Sequence, residues 1–176
     1  MLDPKFQKFT TATQILASYD YVDIIDGTGV VEYYGAIDKF DGNLTLTPNF
    51  ITGYDFKIMD TNTYLVFDTA ALNLPRTIKG TAYIEWAIYN GGGNIPAMTT
   101  KVSYVRGGAA VDISAAVTNT LTTTDPNVAF NIVPLTQTDL QVGDIIRVSI
   151  KVNNANHRLE FDSASPFKVK IPFLIT

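Results

Sequence analysis

Side chains capable of nucleophilic chemistry are few in this sequence. His157 is the only histidine, and the chain contains no cysteine. A serine nucleophile usually needs a histidine base beside it, so a catalytic triad would have to be built on His157. That residue follows the Asn-rich stretch 153–156, and no nucleophile-elbow motif is present to supply the serine. We therefore expect His157 to be a solvated loop residue rather than a catalytic base.

Paired carboxylates are the other arrangement that could support hydrolysis, because two of them flanking a glycosidic bond divide the acid and base or nucleophile roles. Glu32, Glu85 and Glu160 each lie on a predicted strand beside aromatic residues. A glutamate at such a position more commonly points into solvent from the wet face of its strand. We expect that simpler role, and the sequence therefore predicts a protein that is not an enzyme.

Cofactor and metal motifs are equally weak. The aspartates Asp20, Asp23 and Asp26 could offer oxygen ligands to Ca²⁺. Their spacing does not match the EF-hand loop, and a turn is sufficient to explain Asp26. The stretch 91–93 is Gly-Gly-Gly, but it has no following Lys-Ser/Thr and opens no helix, so it is not a phosphate-binding loop. We expect no cofactor and no metal site.

Binding of a glycan or receptor stays open as an alternative. Tyrosines on predicted strands, near Gly- and Asn-rich loops, could form stacking platforms for sugar rings. These tyrosines are Tyr33, Tyr34, Tyr83, Tyr89 and Tyr104. The loop that follows the predicted strand at 81–89 contains asparagines, whose amides can hydrogen-bond to a ligand. Tyr89, Asn90 and Asn94 are therefore candidate ligand-facing residues. Core or half-buried tyrosine is nonetheless the commoner state.

Strands, not helices, must position these side chains. Over 146–152, β-branched residues alternate with polar ones, which places one set on a buried face and the other toward solvent. The stretches 82–88 and 167–175 repeat this pattern, and Trp86 is expected in the core. Short runs of this kind, separated by Gly, Asn, Asp and Pro, are typical of all-β proteins.

A further alternation covers 128–132, where Val128, Phe130 and Ile132 are interleaved with Ala129 and Asn131. Pro134 then marks a strand end or a sheet edge. Together, these patterns predict an all-β chain folded as an antiparallel β-sandwich, jelly-roll-like and with about eight strands. An immunoglobulin-like sandwich is the alternative.

Residues 19–176 are predicted to form one β-sandwich domain, preceded by an extended N-terminal arm at 1–18. Two phenylalanines in a loose tail are better buried than exposed to water. We therefore expect the arm to dock onto a neighbouring subunit, with a frayed terminus as the alternative. The predicted docking residues of the arm are Lys5, Phe6, Lys8 and Phe9.

Charge excludes some partners. The 176 residues carry a formal net charge of −4, and a nucleic-acid binder needs clustered Lys and Arg. Only 17% of the residues are charged, below the ~25% of typical globular proteins, and a low-charge surface is cheap to desolvate in an interface. No apolar run approaches the length of a transmembrane helix and no signal-peptide pattern is present, so no membrane partner is expected.

Four stretches occur together in a recognisable order: 5–10 (KFQKFT), 23–35 (DIIDGTGVVEYYG), 74–80 (LPRTIKG) and 166–175 (PFKVKIPFLI). In these stretches, which span nearly the whole chain, the sequence resembles all-β virion structural proteins of tailed bacteriophages. None of the motifs is catalytic, and no ligand residue is carried over from them.

The resemblance implies a capsid-associated role, as a decoration, minor capsid or head-fibre protein. It implies a place in the virion after assembly in the host cytoplasm, with the major capsid protein or other virion proteins as partners. A homo-oligomer is expected, with a trimer as one option. The alternative is a receptor- or glycan-binding module of a phage fibre or tail.

Overall fold

The computed structural model describes residues 17–18, 28–38, 41–50, 55–90, 97–120, 127–153, 157–161 and 167–174. These residues form thirteen strands. Most of the predicted N-terminal arm, with Lys5, Phe6, Lys8 and Phe9, lies outside the described residues, as does Asn94.

The strands are β1 (Ala17–Ser18), β2 (Thr28–Ile37), β3 (Leu44–Thr47), β4 (Asp55–Met59), β5 (Leu65–Thr69), β6 (Arg76–Asn90), β7 (Ala97–Arg106), β8 (Ala109–Asp112), β9 (Val117–Thr120), β10 (Asn127–Leu140), β11 (Ile145–Val152), β12 (His157–Phe161) and β13 (Lys168–Leu174).

The strands pair in the order of a jelly roll. The first layer runs β2-β13-β6-β10, and the second runs β5-β11-β7, with β8 and β9 following one another along the far edge of β7. β3 joins the layers on one side, because it pairs with β2 antiparallel and with β5 parallel. The predicted all-β, antiparallel, jelly-roll-like sandwich is confirmed.

The predicted count of about eight strands is wrong, because thirteen are found among the described residues. Strands of two to five residues extend the rims of the two layers. β12 pairs with the last part of β6 and carries β4 on its other edge, while β1 pairs with the start of β2. Segments this short carry too little alternation to be counted from sequence.

The core lies between the layers. The apolar residues predicted to face inward on β11 are all fully buried, as is Trp86 on β6. Three rings cross from one layer to the other: Phe67 on β5 lies 5.9 Å from Phe161 and 4.7 Å from Phe167 between ring centroids. The alternations over 82–88 and 146–152 therefore identified the core correctly.

β10 lies at the edge of the first layer, as Pro134 indicated. Over 128–132 its large apolar side chains face solvent and a polar side chain faces the core, which is the reverse of the usual alternation. Asn131 points inward and is 2% exposed, whereas Val128, Phe130 and Ile132 point outward. The Asn131 amide donates to Thr100 Oγ1 at 2.9 Å and to the Val117 carbonyl at 3.2 Å. Because these acceptors belong to the second layer, a buried amide helps to close the sandwich on this side.

A proline within a strand is expected at a sheet edge or at a bulge. Pro172 does not lie at an edge, because β13 lies between β2 and β6. Instead the β13–β6 register shifts between Lys170 and Phe173, which leaves the proline at a bulge. Gly80 faces Pro172 across this bulge with φ of 120°, a conformation that favours glycine.

Gly35 on β2 lies against the ring of Phe167. Its N–H donates to the Phe167 carbonyl at 2.9 Å. A Cβ at position 35 would stand 2.9 Å from Cε1 of that ring and closer still to Cδ1. Since Phe167 is fully buried against Phe67, its ring has no free space to move into.

We therefore expect Gly35→Ala to lower the free energy of unfolding by about 2–3 kcal/mol through overpacking. Shortening the opposing ring should relieve this clash, so Gly35→Ala combined with Phe167→Leu should cost less than the sum of the two single changes. Urea unfolding of the wild type, both single variants and the double variant measures the coupling. Strict additivity would contradict the clash.

His157 is not the solvated loop residue that was expected. It begins β12 and is fully buried, on the same side of the strand as Leu159 and Phe161. Neither ring nitrogen has a hydrogen-bond partner among the described residues, and burial lowers the pKa of the imidazole. The pattern His157, Leu159, Phe161 was the missed signal, because residues two apart share a face of a strand.

This burial predicts a loss of stability in mild acid. The imidazole pKa is lower in the folded chain than its ordinary 6.5, so below that value the unfolded chain binds more protons. Stability is then fully present above about pH 6.5 and declines as the pH falls toward the folded pKa. Urea midpoints measured between about pH 7.5 and pH 5.5 should fall for the wild type and fall less for His157→Leu. Equal slopes for the two proteins would contradict the prediction.

Candidate functional site

The side of the first layer that faces away from the core gathers side chains from six strands and the segment after β3. We call it the outer face. It comprises Glu32, Tyr34, Phe50, Phe56, Ile58, Tyr83, Glu85, Tyr89, Val128, Phe130, Ile132, Arg158, Glu160, Lys168 and Lys170. Residues opposite one another on paired strands share a side of the sheet, so the strand register places these side chains in rows.

Two of these rows cross the whole layer. One contains Phe130, Glu85, Lys168 and Tyr34. The next contains Ile132, Tyr83, Lys170 and Glu32. In both rows the edge strand β10 contributes an apolar side chain, while β13 contributes a lysine. The outer face therefore has an apolar margin beside a charged centre.

Exposed apolar side chains are concentrated on this face. The described residues include eleven exposed large hydrophobic side chains, and all but Leu74, Val111 and Val142 lie on the outer face. Phe130 is 57% exposed and Ile132 49%. Single exposed apolar residues are normal on protein surfaces, but a contiguous group marks a surface of interaction.

The charged side chains at the centre of the outer face form ion pairs. Glu32 Oε2 lies 3.3 Å from Lys170 Nζ, and Glu85 Oε1 lies 3.4 Å from Lys168 Nζ. Arg158 and Glu160 form a third pair, so the outer face carries three cations and three anions. The three glutamates point away from the core, as predicted, and each is held by a cation. The face is therefore close to neutral.

Tyr34 forms a small cluster with its neighbours on the β2 side of the outer face. Its hydroxyl donates a hydrogen bond to Glu32 Oε1. That hydrogen bond, with some burial, raises the pKa of Tyr34 to about 12. Phe50 packs edge-on against the Tyr34 ring with the centroids 5.3 Å apart. These contacts hold two aromatic side chains in place at the surface.

At the opposite end, Arg158 lies between two aromatic rings. Its guanidinium carbon is 4.2 Å from the Tyr89 ring centroid and 4.8 Å from that of Phe56. Arg158 also pairs with Glu160 at 3.4 Å. Stacking on both rings limits the movement of all three side chains. This end of the face is thus rigid and aromatic.

The candidate ligand-facing residues are only partly described. Tyr89 is partly exposed on the outer face, but Arg158 covers one side of its ring. Asn90 ends β6. The five tyrosines considered for sugar stacking do not form one platform: Tyr34, Tyr83 and Tyr89 share the outer face, Tyr33 points into the core, and Tyr104 lies on β7 in the second layer.

Possible metal ligands do not cluster in the described part of the chain. It contains no group of three or more His, Asp or Glu side chains that could hold a metal ion. The aspartates Asp20, Asp23 and Asp26 lie outside it. Since the described residues form strands and turns, they include no helix that could span a bilayer.

Known proteins share the fold but little sequence with this chain. No match is found among protein-family models or among curated proteins. A CocE/NonD family hydrolase from Staphylococcus aureus superposes with a TM-score of 0.70 at 9% identity, over 83% of this chain and 37% of the hydrolase.

Two further structures are similar. An aminopeptidase from a marine sediment archaeon, Thaumarchaeota archaeon, has a TM-score of 0.61 at 12% identity, and an alpha-amino acid ester hydrolase has 0.61 at 13%. The match covers 81% of this chain and 36% of each of these two proteins. This chain spans little more than a third of the length of the proteins it resembles. The likeness supports the β-sandwich and carries no activity over.

Proposed function

We propose that this chain is a non-enzymatic virion structural protein that attaches to neighbouring subunits of a capsid through its outer face. The observation that carries the proposal is the concentration of exposed apolar side chains there, beside ion pairs that leave the face nearly neutral. Burying such a surface gains about 25 cal/mol per Å² of apolar area. Aromatic side chains are also enriched in protein interfaces.

The size of the outer face suits one contact in a larger assembly. Four adjacent strands spaced about 4.8 Å apart, over the seven residues from Tyr83 to Tyr89, span roughly 20 Å by 20 Å. Standard protein interfaces bury about 800 Å² on each partner, which is about twice this flat area. A capsid-associated subunit therefore gains from additional contacts, which the predicted N-terminal arm and self-association would supply.

The proposal is tested by the protein content of purified phage particles. We expect the chain to be present in a fixed ratio to the major capsid protein. We also expect it to stay bound in about 1 M NaCl, where the Debye length is only ~3 Å, because apolar contacts are not screened by salt. Absence of the chain from purified particles would refute a virion role. Release by salt would refute apolar docking.

A receptor- or glycan-binding role on a fibre or tail is the second candidate. Tyr83 favours it, since its side chain is 50% exposed on the outer face. Stacking of Arg158 on Tyr89 speaks against sugar stacking at the end of β6, because one side of that ring is occupied. A glycan array distinguishes the two candidate functions. A glycan that binds specifically would support the receptor- or glycan-binding role. An array without a bound glycan would favour docking between subunits.

A further inference from the structure

A cleft of about 860 Å³ lies beside β3, the strand that joins the two layers. Its walls include apolar side chains from three elements, among them Val31, Leu44, Leu46 and Leu72. Ligand sites in proteins commonly have volumes of about 300–1,000 Å³ and mostly apolar walls with a few polar groups. The cleft is separate from the outer face, because Val31 and Leu46 belong to the buried side of their strands.

Arg76, at the start of β6, is the cation of this cleft. The other three arginines of the chain, Arg106, Arg147 and Arg158, each pair with a carboxylate. Arg76 has no ion pair or hydrogen bond with any residue that the structure describes. Its guanidinium lies over the Phe173 ring, 5.2 Å from the centroid. Stacking of this kind holds the group beside the ring, and no described residue occupies its N–H edge, which can bind an anion.

Tyr33 supplies a second donor. Its side chain lines the cleft and is 8% exposed, and its hydroxyl has no hydrogen-bond partner among the described residues. Burial raises the pKa of the phenol, so the group is protonated at neutral pH. A ligand oxygen in the cleft would accept a hydrogen bond from this hydroxyl.

Asp68 is the one carboxylate among the described residues that line the cleft. Both of its oxygens accept hydrogen bonds from Arg147, each at 2.7 Å. This pair is neutral overall, so it offers little repulsion to a bound anion. Among the described residues that line the cleft, the remaining charge is the single positive charge of Arg76.

We propose that this cleft binds an organic monocarboxylate with an apolar body, held by the Arg76 guanidinium and the Tyr33 hydroxyl. An arginine fork matches the two oxygens of a carboxylate. The one cation without a described partner balances one negative charge, whereas a phosphate dianion would keep an uncompensated charge. The apolar walls contact the body of the ligand. A free acid and the C-terminal carboxylate of a peptide share this chemistry, and the proposal does not depend on docking through the outer face.

Titration of the full chain with hexanoate tests the proposal, followed by methyl NMR signals of Val31, Leu44, Leu46 and Leu72. We expect saturable shifts with a dissociation constant in the millimolar range, as suits so small a ligand. Hexanamide, which lacks the charge, should bind at least about tenfold more weakly. Arg76→Gln should weaken hexanoate binding by a similar factor, and Tyr33→Phe by less.

Lys79→Gln is the matched control, because it removes an exposed cation from the same strand outside the cleft. This variant should bind hexanoate as tightly as the wild type.

A short apolar peptide with a free C-terminal carboxylate, and the same peptide as its C-terminal amide, distinguish the two sources of the carboxylate. Binding of the peptide acid but not of hexanoate assigns a chain terminus as the ligand. Binding of both the peptide acid and hexanoate shows that a free acid suffices. If Arg76→Gln does not fold, two measurements still test the proposal. They are the binding of hexanoate by Arg76→Lys and the comparison of hexanoate with hexanamide on the wild type. Absence of binding by both acids, or equal binding of acid and amide, would overturn the proposal.

Discussion

Ile150→Asp is expected to abolish folding. Ile150 is fully buried on β11, where it pairs with Leu65 on one side and Thr100 on the other. An aspartate there would carry a charge into the centre of the sandwich without a cation to pair with, at a cost of several kcal/mol after the group has adjusted its pKa. Since whole domains are stable by only about 5–15 kcal/mol, the variant should accumulate as insoluble protein.

Two controls separate burial from the mere presence of a new charge. Ile150→Val removes one methylene group and should fold with a loss of about 1 kcal/mol. Ile132→Asp makes the same chemical change on β10, where the side chain is 49% exposed, and should give a soluble, folded protein. Circular dichroism and the soluble yield of the three variants are the measurements. A folded Ile150→Asp protein would contradict the inward face assigned to β11.

The combined change Phe130→Thr and Ile132→Thr should remove the chain from particles while leaving it folded. Both side chains are already about half exposed, and threonine suits a strand, so stability should change by no more than about 0.5 kcal/mol per site. Large apolar side chains that become buried in an interface each contribute about 1–2 kcal/mol. Losing two should reduce incorporation at least about tenfold.

The matched control is Leu74→Thr with Val142→Thr. These residues are 60% and 64% exposed, as apolar as the test pair, and lie off the outer face. Incorporation is measured by competing each variant with the wild type during particle assembly and quantifying both forms in purified particles. Normal incorporation of the outer-face variant, or an equal loss for both variants, would contradict docking through this face.

The sequence predicted the long strands of the fold well. Alternation identified the buried sides of β6 and β11, because a period of two survives wherever one side is buried. The same rule located the buried part of β13, whose last predicted core position, Ile175, lies outside the described residues. The short strands at the rims were undercounted, since two to five residues give no reliable period.

The candidate site could not be read from the sequence in the same way. On β10 the apolar set faces out because Asn131 bonds to the second layer, and nothing local reveals which of two alternating sets a sheet will bury. The outer face also joins strands far apart in the chain, such as β2, β6 and β13, so no continuous motif marks it. The prediction that His157 is a solvated loop residue was wrong for a related reason. The Asn-rich residues before it indicated a loop, whereas β12 begins at His157.

The most direct test of the central claim is an image of the assembled particle at a resolution that shows side chains. We predict that a neighbouring chain covers the outer face, with Phe130, Ile132 and Tyr83 buried in the contact. A particle in which this chain is present and its outer face lies open to solvent would contradict the account.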